Sequence, residues 1–179
     1  MDRDGVLAVE ESYVCEAERL KIFPYAKDCV DKIHKKGYYA IVITNQSGIA
    51  RGLFSEEELW KMNRRLMRET GVDAVYYCPH HPGGTVKKYA MKCNCRKPQT
   101  GLLEEACRDF PIDLTGSFMV GDRAGDILTG KAMGIKTALL ESGYGSQRLE
   151  QNVEPDYKLE NLREFAEILD DRPKNDTVH

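Results

Sequence analysis

Apolar and polar positions alternate in blocks along the chain, and the period of the apolar residues switches between helical and continuous. In YAKDCVDKIHKKG, Ala26, Cys29, Val30 and Ile33 fall on one helical face, with Pro24 just before the segment and Gly37 closing it. The run YYAIVIT (38–44) is apolar throughout, the pattern of a strand buried on both faces. Ser55 and Glu58 form a capping-box signature, and Leu59, Met62 and Leu66 then line one helical face. DAVYYC (73–78) predicts a strand, and residues 79–98 predict a long loop rich in Gly, Lys and Cys. TGLLEEACRDF (100–110) predicts a helix with Leu102, Leu103, Ala106 and Phe110 inward. GSFMVGD (116–122) predicts a strand, AGDILTGKAMG (124–134) a short helix closed by Gly134, and IKTALL (135–140) another strand. LLESGYGS (139–146) predicts a loop after the last strand, and LENLREFAEIL (159–169) predicts a final helix. The tail 170–179 has almost nothing to bury and is expected to be disordered.

Strands and helices in alternation with short connections predict an α/β fold, a Rossmann-like three-layer sandwich with a mostly parallel sheet. Residues 1–169 are expected to form one domain. In such sheets ligands sit beyond the carboxyl ends of the strands. The predicted strand-end residues are Thr44, Cys78 and Asp122.

Composition narrows the partners. A net charge of −3 argues against nonspecific nucleic-acid binding. No apolar run approaches the roughly 20 residues of a membrane span, and the acidic, polar N-terminus is not a signal peptide, so the expected compartment is the cytoplasm. The expected state is a monomer acting on a small molecule. In a reducing compartment, clustered cysteines read as metal ligands before disulfides.

Four features fall in order at strand ends: DRDG with Asp2 and Asp4, ITNQSG with Thr44, CRKP with Lys97, and MVGDRAGD with Asp122 and Asp126. Singly, each has an ordinary explanation: a solvated loop, a helix cap, a surface lysine, a turn. Together they supply what phosphate-ester hydrolysis requires. One carboxylate can attack phosphorus, and a second, two residues on, can exchange protons with the leaving oxygen and with water. Mg²⁺ held by carboxylates, Asp122 among them, cancels their repulsion for the phosphate. Thr44, the amides of NQSG and Lys97 can hold the phosphoryl oxygens.

The loop supplies a second constellation. Cys78 and His80, then Cys93 and Cys95, form two close pairs of soft ligands, which suit tetrahedral Zn²⁺. His81 is a rival to His80, but one intervening residue matches the other pair. Four protein ligands leave no open position, so this zinc loop (78–98) is expected to be structural. RKP follows Cys95 directly, so the metal would also fix Arg96 and Lys97.

Over residues 2–140 these motifs resemble the haloacid dehalogenase superfamily of phosphatases. The resemblance implies that Asp2 is the nucleophile, Asp4 the general acid/base, and Thr44 and Lys97 the phosphoryl-stabilising pair. It implies Mg²⁺ on Asp2, the backbone carbonyl of Asp4 and Asp122, and leaves open whether Asp126 orders the metal's waters or caps its helix. Within the superfamily the CPHHP…CNCRKP loop is similar to the branch that removes the 7-phosphate of D-glycero-D-manno-heptose 1,7-bisphosphate, a sugar phosphate. It is also similar to the histidinol-phosphate phosphatase branch, whose loop is typically shorter. The long loop favours the first. Its substrate contacts carry over to Glu10, Glu11, Ser12 and Tyr13, to Asn45, Gln46 and Ser47, and to Arg96 and Arg123. Arg96 is the expected reader of a second phosphate, with Arg51 a weaker candidate. A different class, a zinc-ordered binding protein on a catalytically weak phosphatase fold, remains open here. The family carries an apolar strand before its D-x-D, whereas this chain offers Met1 alone. A first strand is therefore expected to be missing, its neighbours unpaired and Asp2 at a fraying terminus.

Overall fold

The computed structural model describes residues 1–144 and 153–172. In chain order the elements are α1 (Ala26–Lys35), β1 (Ile41–Asn45), α2 (Glu56–Thr70), β2 (Ala74–Cys78), α3 (Gly101–Asp109), β3 (Phe118–Gly121), α4 (Ala124–Ala132), β4 (Lys136–Leu140), β5 (Tyr157–Leu159) and α5 (Leu162–Ile168). Local chemistry sets several of these limits. Ser55 Oγ accepts the N–H of Glu58 at 3.1 Å to start α2. Gly71, at φ +80°, ends that helix in the left-handed conformation that glycine adopts without a Cβ penalty.

Among the described residues the named strands pair in parallel, β1 with β2 across α2 and β3 with β4 across α4. β1 pairs with β2 in the register Ile41↔Ala74 to Asn45↔Cys78. β3, β4 and β5 form a second ladder. Helices cover both faces. Val42, Val120, Ala138 and Leu140 pack toward α1, α2 and α5, while Ile43 and Met119 pack toward α3. α4 presses onto the sheet at Gly130, where a Cβ would lie 2.6 Å from Thr137 and 2.8 Å from Met119. The three-layer α/β expectation describes this arrangement.

Between β1 and β3, where the sequence reading misses a strand, Met1 and Asp2 join the two ladders. The Met1 amine donates to the carbonyl of Ile41 at 2.8 Å and its carbonyl accepts from Ile43 at 2.8 Å. The Asp2 N–H donates to the carbonyl of Val120 at 2.8 Å. Asp2 is therefore not at a fraying terminus, as the sequence reading expected: two sheets grip it, and it is 7% exposed.

Other expectations shift. β1 starts at Ile41 rather than at 38, and Tyr39 is exposed. β5 was not foreseen: its three residues alternate around an exposed Lys158, too short a pattern to register. Asn161 caps α5, accepting the Arg163 N–H at 2.9 Å, so that helix starts at Leu162 rather than at 159. Of the expected loop 139–146, Leu139 and Leu140 belong to β4, and Gly145 and Ser146 lie outside the described residues. Of the expected tail, residues 173–179 lie outside them, but Arg172 is packed: its N–H donates to the carbonyl of Lys36 at 2.9 Å and its guanidinium pairs with Asp113 at 2.8 Å. Among the described residues no helix is long and apolar enough to cross a membrane.

Candidate active site

The carboxyl ends of β1 and β3 and the Met1–Asp2 bridge open onto a cleft of about 410 Å³. Its walls include Asp2, Asp4, Thr44, Gln46, Arg96 and Lys97, so residues separated by over 90 positions converge on one floor.

Lys97 is the charge centre. Its Nζ lies 2.9 Å from Asp2, 2.5 Å from Asp126 and 2.7 Å from the Ile43 carbonyl. Burial alone would raise the carboxyl pKa of Asp2. Lys97 and the Arg3 N–H, which donates to Asp2 at 2.7 Å, outweigh it and hold Asp2 below the ordinary carboxylate range. Burial would lower the Lys97 ammonium, but Asp126 and Asp2 keep it above its usual value. A charged acid beside a charged lysine is thus the resting state. Asp126 also accepts the Arg123 N–H at 3.0 Å, closing the first turn of α4. It therefore caps the helix and anchors Lys97 at once.

Asp122 is fully buried, and its Oδ1 has no hydrogen-bond partner. Its Oδ2 accepts the Tyr144 N–H at 2.8 Å. Burial, with the Asp2 charge next, pushes its pKa up to about 7. Gly5 and Gly143 crowd it: a Cβ there would lie 2.4 Å and 2.1 Å from Oδ2. Carboxylate oxygens of Asp2, Asp122 and Asp126 lie within 4.8 Å of one another. An orphaned buried oxygen amid three acids is the environment a hard divalent cation relieves, so these residues fit Mg²⁺. The Asp4 carboxylate stands outside this group, because Arg3 donates to both of its oxygens at 3.0 and 2.9 Å and Gln46 donates at 3.1 Å.

Arg3 was not foreseen as a site residue. In an extended D-x-D the middle side chain points away. Here the chain bends at Arg3, and its 2%-exposed guanidinium stays beside Asp4 and Gln46. A cation between two acids was the available signal. Gln46 also donates to Thr44 Oγ1 at 3.0 Å. Asn45, expected on substrate, spends its side chain on the Lys97 backbone.

The remaining expected contacts form the rim. Glu10 faces Arg123 at 3.4 Å, and Arg123 stacks over the Tyr144 ring at 4.0 Å. Burial and the neighbouring Asp4 charge raise the Glu10 pKa to about 7. Glu11 pairs with Lys21, Ser12 and Tyr13 are exposed, and Ser47 lines the cleft. Arg96 donates to the His80 carbonyl at 3.2 Å, and Arg51 meets His81 at 3.3 Å.

Beside the cleft, Cys78, His80, Cys93 and Cys95 come together. The three sulfurs lie 3.1–3.5 Å apart, and His80 Nδ1 is 3.3 Å from Cys95 and 3.7 Å from Cys78. His81 turns instead to Arg51. Close thiols repel as thiolates, and burial with the Cys95 contact pushes Cys78 above the usual thiol range. Four converging soft donors fit a tetrahedral metal that would resolve this repulsion.

A buried aspartate beside a buried lysine, at the strand ends of a parallel sheet, is an arrangement suited to a phosphoryl-transfer hydrolase of the haloacid dehalogenase-like class. The HAD-hydrolase-like family model matches residues 94–165. A D-glycero-beta-D-manno-heptose-1,7-bisphosphate 7-phosphatase of Rhodopseudomonas palustris is 39% identical over 140 residues, 75% of this chain and 78% of that protein. Its counterpart in Pasteurella multocida is 34% identical over 94% of each chain. Among solved structures, the D,D-heptose 1,7-bisphosphate phosphatase of B. bronchiseptica, complexed with magnesium and phosphate, superposes with a TM-score of 0.77 at 30% identity, covering 93% of each chain. The chain belongs to the haloacid dehalogenase-like phosphatases and, within them, to the heptose bisphosphate phosphatase family.

Proposed function

We propose that this chain removes the 7-phosphate of D-glycero-D-manno-heptose 1,7-bisphosphate through an aspartyl-phosphate on Asp2. The observation that carries the reading is the Asp2–Lys97 contact at 2.9 Å, which keeps the attacking acid ionised at the floor of the cleft.

An Asp2 oxygen attacks phosphorus as the bond to the sugar oxygen breaks, and Asp4 gives its proton to that oxygen. Asp4, now a carboxylate, takes a proton from water as the water oxygen attacks the same phosphorus, which frees Asp2 and phosphate. The Thr44 hydroxyl, the amides of 45–47 and Lys97 hold the phosphoryl oxygens. Arg3 and Gln46 hold the Asp4 carboxylate in place between the two steps. Arg96 and Arg123, which line the rim of the cleft, would take the distal phosphate and hydroxyls.

Asp2, Asp122 and the Asp4 carbonyl would hold Mg²⁺, which when bound neutralises the acids facing the phosphate. Cys78, His80, Cys93 and Cys95 would hold structural Zn²⁺ and so fix Arg96 and Lys97. The same reading has a single-domain monomer working in the cytoplasm on a small sugar phosphate. The net charge of −3 speaks against nucleic acid as substrate.

The test is phosphate release from the heptose bisphosphate and from histidinol phosphate, side by side, with Mg²⁺. Turnover of the bisphosphate should dominate, and Asp2→Asn and Asp4→Asn should each abolish it. Equal or faster hydrolysis of histidinol phosphate would overturn the assignment.

A further inference from the structure

His81 and Arg51 meet at the edge of the cleft, and their contact satisfies neither group. Arg51 Nη2 lies 3.3 Å from His81 Nε2. The other ring nitrogen, Nδ1, accepts the Gly83 N–H at 3.0 Å. A neutral imidazole carries one proton, so with Nδ1 acting as acceptor that proton stands on Nε2. A guanidinium has donors only. Two N–H groups therefore face each other with no acceptor between them. Both residues line the cleft that holds Asp2 and Lys97.

The backbone under both donors is braced. The N–H groups of Thr85 and Val86 donate to the Ala50 carbonyl at 2.8 and 3.0 Å, and the Thr85 hydroxyl donates to the Arg51 carbonyl at 3.1 Å. Gly84 presses on the same turn: a Cβ there would lie 2.6 Å from the Ala50 oxygen. The His81 N–H donates to the Tyr89 carbonyl at 3.1 Å, and the Tyr89 hydroxyl donates to Glu56 at 2.7 Å. The turn after β1 and the loop between the two cysteine pairs thus form one support, and each contributes a donor. Donors fixed before a ligand arrives lose little freedom on binding it.

The missing partner is an acceptor that can serve both donors and offset a guanidinium charge. Nearby acids of the cleft are engaged elsewhere, Asp4 by Arg3 and Gln46 and Glu10 by Arg123. A phosphate monoester offers several acceptor oxygens and negative charge in one group. We propose that Arg51 and the His81 Nε2–H together bind the second, unhydrolysed phosphate of a sugar bisphosphate. The proposal deepens the bisphosphate reading above and rests on it. It gives His81 a contact to substrate rather than to metal.

His81→Phe and Arg51→Gln should each be assayed on the heptose bisphosphate and on the heptose 7-phosphate, with zinc content measured on every sample. KM for the bisphosphate should rise about tenfold in His81→Phe and about 10–100-fold in Arg51→Gln, with kcat changing less. The monophosphate should lose less than threefold. The double variant should fall short of the product of the two single losses, because both donors serve one phosphate. No loss in either variant, equal losses on both substrates, or losses that multiply in full would overturn the subsite. Should His81→Phe release zinc or fail to fold, Arg51→Gln decides by the same measure. A parent chain that turns over the bisphosphate no better than the monophosphate would sink the substrate reading and this subsite with it. A parent with that preference, undiminished in both variants, would sink the subsite alone.

Discussion

Asn45 clamps the backbone of Lys97 from both sides. Its side-chain nitrogen donates to the Lys97 carbonyl at 3.1 Å, and its Oδ1 accepts the Lys97 N–H at 3.0 Å. β1 thereby fixes a loop residue 52 positions away, and the lysine enters the cleft from a rigid support. Asn45→Ala should lower kcat by about 10–100-fold, with KM changing less, because a misplaced Lys97 weakens phosphoryl stabilisation more than substrate capture. Steady-state kinetics on the bisphosphate would check this. An unchanged kcat would show that the loop holds Lys97 unaided.

Glu10 makes stability depend on pH. Its folded pKa is raised to about 7 from the ordinary 4.5, so between these values the folded chain binds the extra proton. This contribution is fully present below about pH 4.5 and is lost as pH rises through 7. Glu10→Gln should therefore flatten the fall in melting temperature between pH 5 and 7.5. Parallel slopes for parent and variant would show that Arg123 already neutralises the carboxylate.

The cysteine cluster should carry about one zinc per chain. Cys93→Ser with Cys95→Ser should release it, lower the melting temperature and cut turnover at least tenfold, while magnesium still raises the melting temperature. Metal content and thermal unfolding, measured on the same samples, decide this. Full activity without zinc would mean that Asn45 alone holds the loop.

Arg96 reaches toward the cleft while bonded to the His80 carbonyl at 3.2 Å. Arg96→Ala should raise KM for the bisphosphate by about 10–100-fold, the worth of a charge-assisted contact to phosphate. A monophosphate sugar should be affected several-fold at most. Equal losses on both substrates would place Arg96 at the reacting phosphate instead.

The elements of the site were legible because each is a short local signal: two acids flanking one residue, a threonine closing an apolar run, a lysine after a cysteine pair. The partners were not. Arg3 reads as the outward residue of an extended triplet, and only the bend after Asp2 turns it inward to Gln46, 43 positions on. Asn45 reads as a substrate contact, since nothing local announces Lys97 across 52 positions. β5 escaped because three residues carry no period, and Arg172 because its partner Asp113 lies 59 positions back. The seat of Asp2 was equally hidden, because its N–H bonds to Val120 and its carboxylate pairs with Lys97, both far along the chain.

The ladder pairs Asn45 with Cys78 as register partners. The last residue of one strand thus steadies the backbone of Lys97 while its neighbour in the next strand belongs to the thiol cluster. Chelators and thiol oxidants that never enter the cleft should consequently behave as inhibitors of hydrolysis, and adding more substrate should not rescue the rate. An assay run in buffer that strips metals or tolerates peroxide would then underestimate this enzyme, and the deficit would resemble an inactive preparation.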